Sequence, residues 1–238
     1  MKIAIIGYGK MGKLIEALAI ENGHNISFKI ASLNATEIHN INTANTNVAI
    51  EFTSPETAFN NVQILLKNGV PTVCGSTGWQ ENLHVAQQLA VENNTAFIWA
   101  SNFSIGVNLF FAFTQFIAQK MGSYTNYIPL VNEVHHTAKK DAPSGTAITI
   151  AQKVLEAYKN FNGTTNNPNE QTTKLLITYK REDPAPGFHE VVFNSHHDTI
   201  TLQHNAKSRN GFVEGTLLAA QFIVNKKGVF TMEQVLGL

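Results

Sequence analysis

Short apolar runs alternate with amphipathic segments along the first hundred residues. The run at 3–6 ends at Gly7, and apolar positions then recur at helical spacing from Met11 to Ala19. Later strands are predicted at 26–31, 48–52, 70–74 and 96–100, with helices from Pro55 and over 80–93 between them. Strands that alternate with helices are typical of a doubly wound parallel sheet. We therefore predict an α/β fold whose N-terminal Rossmann-type domain covers 1–103, with a polar loop at 34–47.

The pattern changes after Phe103. Helices are predicted over 109–121 and 147–158, with a strand at 127–134 between them and a loop at 160–173. Three strand-like segments follow without intervening helices, at 175–179, 190–194 and 198–204, and such strands are expected to pair antiparallel. This pattern indicates a second α+β domain over 104–210 with an open mixed or antiparallel sheet. The tail at 211–238 is predicted to be helical and to pack back onto the first domain.

Charge balance and cysteine content narrow the class of protein. The 17 Lys and Arg residues equal the 17 Asp and Glu residues, so no global field favours nucleic acid or an anionic membrane. The one cysteine, Cys74, forms no internal disulfide, and this fits a reducing cytoplasmic compartment. No stretch approaches the roughly 20 apolar residues of a transmembrane helix, and the apolar run at the N-terminus is too short for a signal peptide.

The clearest chemical motif is a glycine-rich turn after the first strand. Residues 7–12 match G-x-G-x-x-G at the opening of a helix, where backbone N–H groups and the helix dipole bind a pyrophosphate. The turns after two later strands lie at the same edge of the sheet, so we expect them to contact the same nucleotide. The predicted cofactor-binding residues are Gly7, Tyr8, Gly9, Lys10, Met11, Gly12, Gly75, Ser76, Thr77, Ala100, Ser101, Asn102 and Phe103. The alternative is that these are ordinary strand–helix turns, with Lys10 solvated and Phe103 in the core.

The end of the second strand bears on the choice of nucleotide. NAD sites commonly carry Asp or Glu there to bind the ribose hydroxyls, whereas residues 29–34 contain no carboxylate. Selectivity for NAD is therefore not expected, and NADPH or tolerance of both nucleotides stays open. Lys29 and Ser32 are candidates for contact with a 2′-phosphate, although Lys29 is equally compatible with a solvent-facing strand position.

Residues 135–148, HHTAKKDAPSGTAI, gather charged and protonatable groups just before a predicted helix. Ser144 is expected to cap that helix, and the free N–H groups of its first turn bind carboxylates. With Lys139 and Lys140 on the approach, the segment predicts an anion site for a small, multiply charged substrate; the alternative is a plain cap with solvated lysines. One of His135 and His136 is suited to general acid catalysis. Because adjacent strand residues point to opposite faces, the two do not share a metal, and no metal site is predicted.

These segments together resemble the dihydrodipicolinate reductase family. The resemblance rests on four segments, which in chain order are GYGKMG, CGSTGW, ASNFSIGVN and HHTAKKDAPSGTA. It covers nearly the whole chain. It implies hydride delivery from NADH or NADPH to a cyclic imine dicarboxylate in lysine and diaminopimelate synthesis, with loss of water and protonation at the neighbouring carbon. It also implies a homotetramer assembled through the sheet of the second domain, which would be the substrate-binding and oligomerisation domain.

The resemblance assigns roles by position in the motif. His135 corresponds to the proton donor and Lys139 to the catalytic lysine, while the positions that hold substrate carboxylates are His136, Ser144, Gly145 and Thr146. The sequence departs from the family in being shorter between Phe161 and Arg181 and before His204. Its glycine loop is also one residue shorter, and the acidic ribose-binding position is empty. Two other classes remain: a related amino or semialdehyde acid dehydrogenase, and a nucleotide-sensing regulator, although no basic recognition helix is evident.

Overall fold

The computed structural model describes all 238 residues, and the chain divides into two compact units. The first unit consists of Met1–Ile105 together with Asn210–Leu238, and the second consists of Gly106–Arg209. No helix of the chain combines the length and the apolar character that a membrane crossing requires.

The first unit contains a six-stranded sheet in the order β11-β5-β4-β3-β1-β2, with every strand pair parallel. Its strands are β1 (Lys2–Ile6), β2 (Asn25–Ile30), β3 (Val48–Glu51), β4 (Thr72–Cys74), β5 (Ala96–Trp99) and β11 (Gly228–Phe230). The accompanying helices are α1 (Lys10–Glu21), α2 (Pro55–Lys67), α3 (Leu83–Glu92), α6 (Asn210–Ile223) and α7 (Met232–Leu236). The predicted Rossmann-type parallel sheet is therefore confirmed.

The order of the apolar residues explains why these segments pack as they do. The central strands are buried on both faces, so they read as continuous apolar runs rather than as alternating patterns. Helix α1 places Ile15 and Ala19 on its buried side, and α6 contributes Val213 and Leu217 to the same core cluster. The residues at the carboxyl ends of the strands are thereby left to form turns at one edge of the sheet.

The predicted loop at 34–47 is wrong in its first half. A 3₁₀ helix spans Ser32–Asn40, and the side chain of Asn34 accepts a hydrogen bond from the Ala31 N–H at 2.7 Å. Ile38 and Ile41 are fully buried and pack against the sheet. Two isolated apolar residues among many asparagines were enough to fold this segment onto the core.

The second unit contains a five-stranded sheet in the order β10-β9-β6-β8-β7. Its strands are β6 (Ile128–His135), β7 (Thr164–Thr165), β8 (Leu175–Arg181), β9 (Phe188–Asn194) and β10 (Thr199–Asn205), and its helices are α4 (Ile105–Met121) and α5 (Gly145–Leu155). Side chains of both helices pack with one face of the sheet in a single core cluster. A short 3₁₀ helix at Pro168–Glu170 and the strand β7 lie within the segment predicted as a loop.

The three consecutive strands β8, β9 and β10 were predicted to pair antiparallel with one another, but β8 does not pair with β9. Strands β9 and β10 form an antiparallel pair, but β6 is inserted between β8 and β9. It pairs parallel with β8 and antiparallel with β9, so the sheet is mixed. This register places His135 opposite Arg181 and Glu133 opposite His189.

The predicted continuous helix over 211–238 is also wrong in its second half. Helix α6 ends at Ile223, and Asn225 adopts a left-handed conformation with φ 65°. The chain then forms β11 beside β5, with Val229 opposite Phe97, before α7 begins at Met232. The turn at 224–227, with its asparagine and two lysines, is the local signal that the helix ends.

Candidate active site

The glycine-rich turn joins β1 to α1 and is shaped by close backbone packing. Gly7 has φ +96°, and a Cβ there would lie 2.0 Å from the carbonyl oxygen of Phe52. A Cβ at Gly12 would lie 2.5 Å from the carbonyl oxygen of Gly7. Gly9 differs, because a Cβ on it would meet no protein atom within 4 Å. Gly7 and Gly12 are thus required by the fold, whereas Gly9 borders open space.

Two neighbouring cavities border this turn. The larger, of about 590 Å³, is lined by Gly7, Tyr8 and Gly9 together with Ser32 and Thr53. The smaller, of about 340 Å³, is lined by Gly9, Lys10, Met11, Gly75, Ser76 and Thr77, among others. Both include Gly9, Phe52 and Thr53 in their walls. The structure therefore brings the first two predicted nucleotide-contacting segments to one place at the carboxyl edge of the sheet.

The third predicted segment, 100–103, is not among the lining residues of these two cavities. The Ala100 N–H donates to the Cys74 carbonyl at 3.3 Å, and the Asn102 side chain accepts from the Ser104 N–H at 2.9 Å. Ser101 lies exposed at the surface. The Phe103 side chain lies in the hydrophobic core with 2% exposure, its ring centroid 6.1 Å from that of Phe52.

The end of β2 carries an ionic cluster beside the larger cavity. The Lys29 ammonium lies 3.2 Å from a carboxylate oxygen of Glu16 and 5.3 Å from the centroid of the Tyr8 ring. The Tyr8 hydroxyl donates to the same carboxylate, and this bond raises the pKa of the phenol. Lys29 is therefore next to a side chain that lines the cavity, whereas Ser32 lines it directly.

A buried carboxylate under this edge was missed by sequence reasoning. Glu51, at the end of β3, is fully buried and accepts hydrogen bonds from the Thr53 N–H at 3.2 Å and the Cys74 thiol at 3.1 Å. Burial raises the pKa of the Cys74 thiol, and the charge of Glu51 adds to that effect. The Thr53 N–H also donates to Ser76 at 2.8 Å, so this network fixes Thr53 between the two cavities. A glutamate within the apolar run 48–52 was the available signal.

In the second unit, the predicted anion site lies where the loop after β6 enters α5. Ser144 caps α5, because its Oγ accepts a hydrogen bond from the Ala147 N–H at 3.1 Å. The backbone N–H of Ser144 in turn donates to Glu133 at 3.1 Å. Gly145 is exposed, and a Cβ on it would meet nothing within 4 Å, while Thr146 is half-buried. The start of α5 is therefore anchored to β6 and open on its outer side.

Cations border this helix start. The Lys139 ammonium lies 2.9 Å from the Asp141 carboxylate and is half-buried, whereas Lys140 is exposed. The Arg181 guanidinium, at the end of β8, donates to the carbonyl oxygens of Lys139 at 3.3 Å and Asp141 at 2.5 Å. Arg181 thereby ties the lysine-bearing loop to the sheet.

Two histidines and a glutamate lie on the helix-covered face of this sheet. His135 is 7% exposed and Glu133 is fully buried, with His135 Nδ1 at 3.4 Å from Glu133 Oε2. The two atoms are within ion-pair distance but lack hydrogen-bond geometry. His189 packs edge-on against His135, with ring centroids 4.9 Å apart, and its Nε2 is 3.4 Å from Ser144 Oγ. His136 follows the end of β6 and is half-buried.

The surroundings give the two buried histidines different titration behaviour. Burial lowers the pKa of His135; Glu133 partly offsets this, and the charges of Lys139 and Arg181 lower the pKa further. Burial lowers the pKa of His189 to about 3, with smaller contributions from His135, His204 and Lys139. His189 is consequently neutral near pH 7.

Glu133, His135 and His189 also have the atom types of a metal site. One ligand-type atom from each lies within 4.8 Å of the others. However, the Arg181 guanidinium lies 3.2 Å from Glu133 Oε1 and already compensates the carboxylate charge. We interpret the cluster as an ionic network beside the start of α5, and we assign no metal to it.

Glu133, Arg181 and His189 were missed by sequence reasoning. Glu133 had a local signal, since it lies two residues before His135 in a strand and must share its face. Arg181 and His189 had none, because they reach the site only through the register of β8 and β9 with β6.

A Rossmann-type unit with a glycine-bordered cavity, joined in the chain to a mixed-sheet unit with a cluster of cationic side chains, is typical of two-domain pyridine-nucleotide-dependent reductases. Within this class, the family model "Dihydrodipicolinate reductase, N-terminus" matches residues 1–103, and "Dihydrodipicolinate reductase, C-terminus" matches residues 106–236. The chain belongs to the dihydrodipicolinate reductase family.

Individual relatives agree with this assignment. The chain is 40% identical over 237 residues to the 4-hydroxy-tetrahydrodipicolinate reductase of Christiangramia forsetii, covering 100% of this chain and 98% of the relative. It is 37% identical over 201 residues to that of Methanocaldococcus jannaschii, covering 80% and 71%. A solved structure of dipicolinate-bound dihydrodipicolinate reductase from Paenisporosarcina sp. TG-14 shares the fold, with a TM-score of 0.76, 24% identity and 97% coverage of both chains.

Proposed function

We propose that the protein reduces 4-hydroxy-tetrahydrodipicolinate to tetrahydrodipicolinate, with NADH or NADPH as the hydride donor, in lysine and diaminopimelate synthesis. The observation that carries the proposal is the assembly of Lys139, the open start of α5 and the buried His135 within one segment of a chain from this family. A combination of a cation, a helix start and a proton donor suits a small dicarboxylate.

The substrate carboxylates are held by the start of α5 and the loop before it. Gly145 and Thr146 supply first-turn N–H groups, which carry the positive end of the helix dipole. Gly145 allows close approach, because no side chain covers that turn. Ser144 acts by capping the helix with its hydroxyl, so its contribution is to fix the turn. His136 binds a carboxylate from the end of β6.

Lys139 and His135 are the catalytic pair. The Lys139 ammonium stabilises negative charge that develops on the substrate during reduction. An anionic substrate raises the low pKa of His135, and the imidazolium then donates its proton to the ring carbon. The bound nicotinamide supplies the hydride; the protein binds, orients and protonates the substrate.

The nucleotide occupies the cavities of the first unit. The open space at Gly9 suits close approach of a pyrophosphate to the first N–H groups of α1, and Thr77 and Ser76 border the adjacent cavity. Residues 100–103 contact the nicotinamide end through their backbone and through Asn102. With no acidic residue at the end of β2 and Lys29 beside Tyr8, the protein accepts both NADH and NADPH.

We also propose that the protein is a cytoplasmic homotetramer, assembled through the sheet of the second unit. On the sheet face away from α4 and α5, Leu130 is opposite Val192 and both are only half-buried, so apolar area is left for another copy. The measurement that checks this is the molar mass by light scattering during gel filtration, with Leu130→Lys as the disruptive variant. A monomeric wild type would contradict the proposal.

The experiment that tests the activity follows the oxidation of NADPH and NADH by absorbance. The substrate is generated enzymatically from pyruvate and aspartate semialdehyde, and the control contains aspartate semialdehyde alone. Rapid oxidation is expected only with the cyclic product. Equal rates in both mixtures would instead identify a semialdehyde dehydrogenase, and no oxidation in either would leave a nucleotide-sensing role.

A further inference from the structure

One charged group of the second unit has no role in the proposed reaction, although it is fully buried. Glu133 has 0% side-chain exposure and is surrounded by functional groups rather than by apolar side chains alone. Its Oε1 accepts from the Ser144 N–H at 3.1 Å and from Arg181 at 3.2 Å. Its Oε2 lies 3.4 Å from His135 Nδ1 and 3.7 Å from His189 Nε2.

Burial of a carboxylate is costly unless cations and N–H donors compensate its charge. Both kinds of compensation are concentrated on Oε1, while Oε2 has no hydrogen-bond partner. The free oxygen faces the two imidazoles. Glu133 thus contacts Arg181 and the Ser144 N–H through Oε1, while Oε2 lies toward His135 and His189.

We propose that Glu133 is a positioning residue that holds the proton donor His135 in a single orientation and keeps its imidazole chargeable. This inference rests on the proposed function, because it assumes that His135 delivers the proton. The Glu133 carboxylate also accepts a hydrogen bond from the Ser144 N–H and thereby fixes the start of α5. One side chain therefore positions both the proton donor and the helix start that is proposed to bind the substrate.

The orientation of the imidazole follows from its two neighbours. Nδ1 lies toward Glu133, which leaves Nε2 on the side of Gly187, where a Cβ would lie 3.5 Å from Nε2. Gly187 has φ +157°, a conformation that side chains rarely adopt. A side chain at position 187 would contact Nε2, whereas the glycine leaves that contact unmade, and we assign delivery of the proton to Nε2.

Charged groups on three elements, β6, the loop that follows it and β8, affect the protonation of His135. Glu133 on β6 and Asp141 on the following loop favour the imidazolium, whereas Lys139 on that loop and Arg181 on β8 oppose it. His189 on β9 is neutral near pH 7 and contributes packing rather than charge. Without Glu133, only Asp141 would raise the pKa of His135 against the lowering effects of burial and of the Lys139 and Arg181 charges.

The decisive variant is Glu133→Gln, which keeps the shape and removes the charge. We expect kcat to fall by at least about tenfold with KM changed less than threefold, because the proton donor is impaired more than binding. A general acid loses activity as pH rises through its pKa, so the alkaline limb of kcat/KM should move about one unit to lower pH. The matched control is Glu190→Gln, whose carboxylate lies on β9 and binds Asn132 at 2.6 Å and Gln203 at 2.5 Å.

A measurement on the wild-type enzyme keeps the test independent of whether the variant folds. Nitrogen-15 NMR of the neutral His135 ring should show the proton on Nδ1, with Nε2 bare. A proton on Nε2, or an unchanged kcat and alkaline limb in a folded Glu133→Gln protein, would overturn the inference. If the wild type does not reduce the substrate at all, the proposed function fails instead, while the NMR result still decides whether Glu133 orients the ring.

Discussion

The two units build their sites from different parts of the chain. The two cavities of the first unit, proposed above to bind the nucleotide, are bordered by turns at the ends of β1, β2, β3 and β4, and glycines shape the turn after β1. The site of the second unit is formed by ionised and protonatable side chains from β6, β8, β9 and one loop. A site built from backbone turns is visible in the sequence as contiguous motifs. A site built from side chains of several strands depends on strand register, which the sequence does not display. The first kind tolerates many changes outside its turns, and the second is sensitive to single charges.

The largest effect is expected from removal of Lys139, the lysine proposed to act in catalysis. Lys139→Ala should lower kcat by about 100-fold or more, because a cation at the reacting centre is lost, while the Kd for NADPH stays within twofold. Turnover and fluorescence titration of the nucleotide measure the two quantities. Lys159→Ala removes an exposed lysine of the same unit and serves as the control. Equal weakening of nucleotide binding by Lys139→Ala would contradict the separation of the sites.

Substitutions at two glycines of one turn should separate an effect on nucleotide binding from an effect on folding. Gly9→Val should weaken nucleotide binding by about 100-fold, or about 3 kcal/mol, and leave the thermal midpoint nearly unchanged, because the new side chain enters the cavity. Gly12→Ala should instead destabilise the fold by about 1–3 kcal/mol, since its Cβ would lie 2.5 Å from the Gly7 carbonyl oxygen. Calorimetry of binding and of unfolding checks both. A destabilised Gly9→Val protein that still binds NADPH would refute the assignment.

The buried His189 should make the stability of the second unit depend on pH. Its folded pKa of about 3 is below the usual value, so the unfolded state binds the extra proton between pH 6.5 and about 3. Stability from this group is therefore complete above pH 6.5 and falls by about 1.4 kcal/mol per unit as the pH is lowered. The free energy of unfolding, measured with urea, should differ less between pH 7 and pH 5 in His189→Gln than in the wild type. His197→Gln, an exposed histidine, should leave the difference unchanged.

The smallest effect concerns nucleotide preference. Lys29→Ala should lower kcat/KM with NADPH about fivefold relative to NADH, since an exposed ion pair is worth at most about 1 kcal/mol. Lys13→Ala, on the exposed side of α1, is the control. If both nucleotides respond alike to Lys29→Ala, the 2′-phosphate does not contact this lysine.

The sequence was sufficient for the parts of the molecule in which neighbours in the chain are neighbours in space. The turn from Gly7 to Gly12 and the cap at Ser144 belong to this kind, because one strand and one helix define each. The parallel pairing of β6 with β8 was not predictable from consecutive strand signals, since the partner lies more than forty residues away. Arg181 and His189 were missed for the same reason.

Segments with little apolar content were predicted least well. The 3₁₀ helix at Ser32–Asn40 rests on Ile38 and on the local hydrogen bond from Ala31 to Asn34, and neither gives a periodic pattern. Strand β11 has only three residues, so its existence depends on the edge that β5 offers rather than on its own composition.

The return of the chain to the first unit has a consequence for biosynthesis. Residues 210–238 supply α6, β11 and α7 to a sheet whose other strands were complete by residue 99. As the ribosome extends the chain, the intervening unit at 106–209 is finished first, and it can fold while the earlier sheet still lacks its outermost strand and a packing helix. The first unit is therefore completed only after the second, because its edge strand β11 and the helices α6 and α7 come from residues that follow the second unit in the chain.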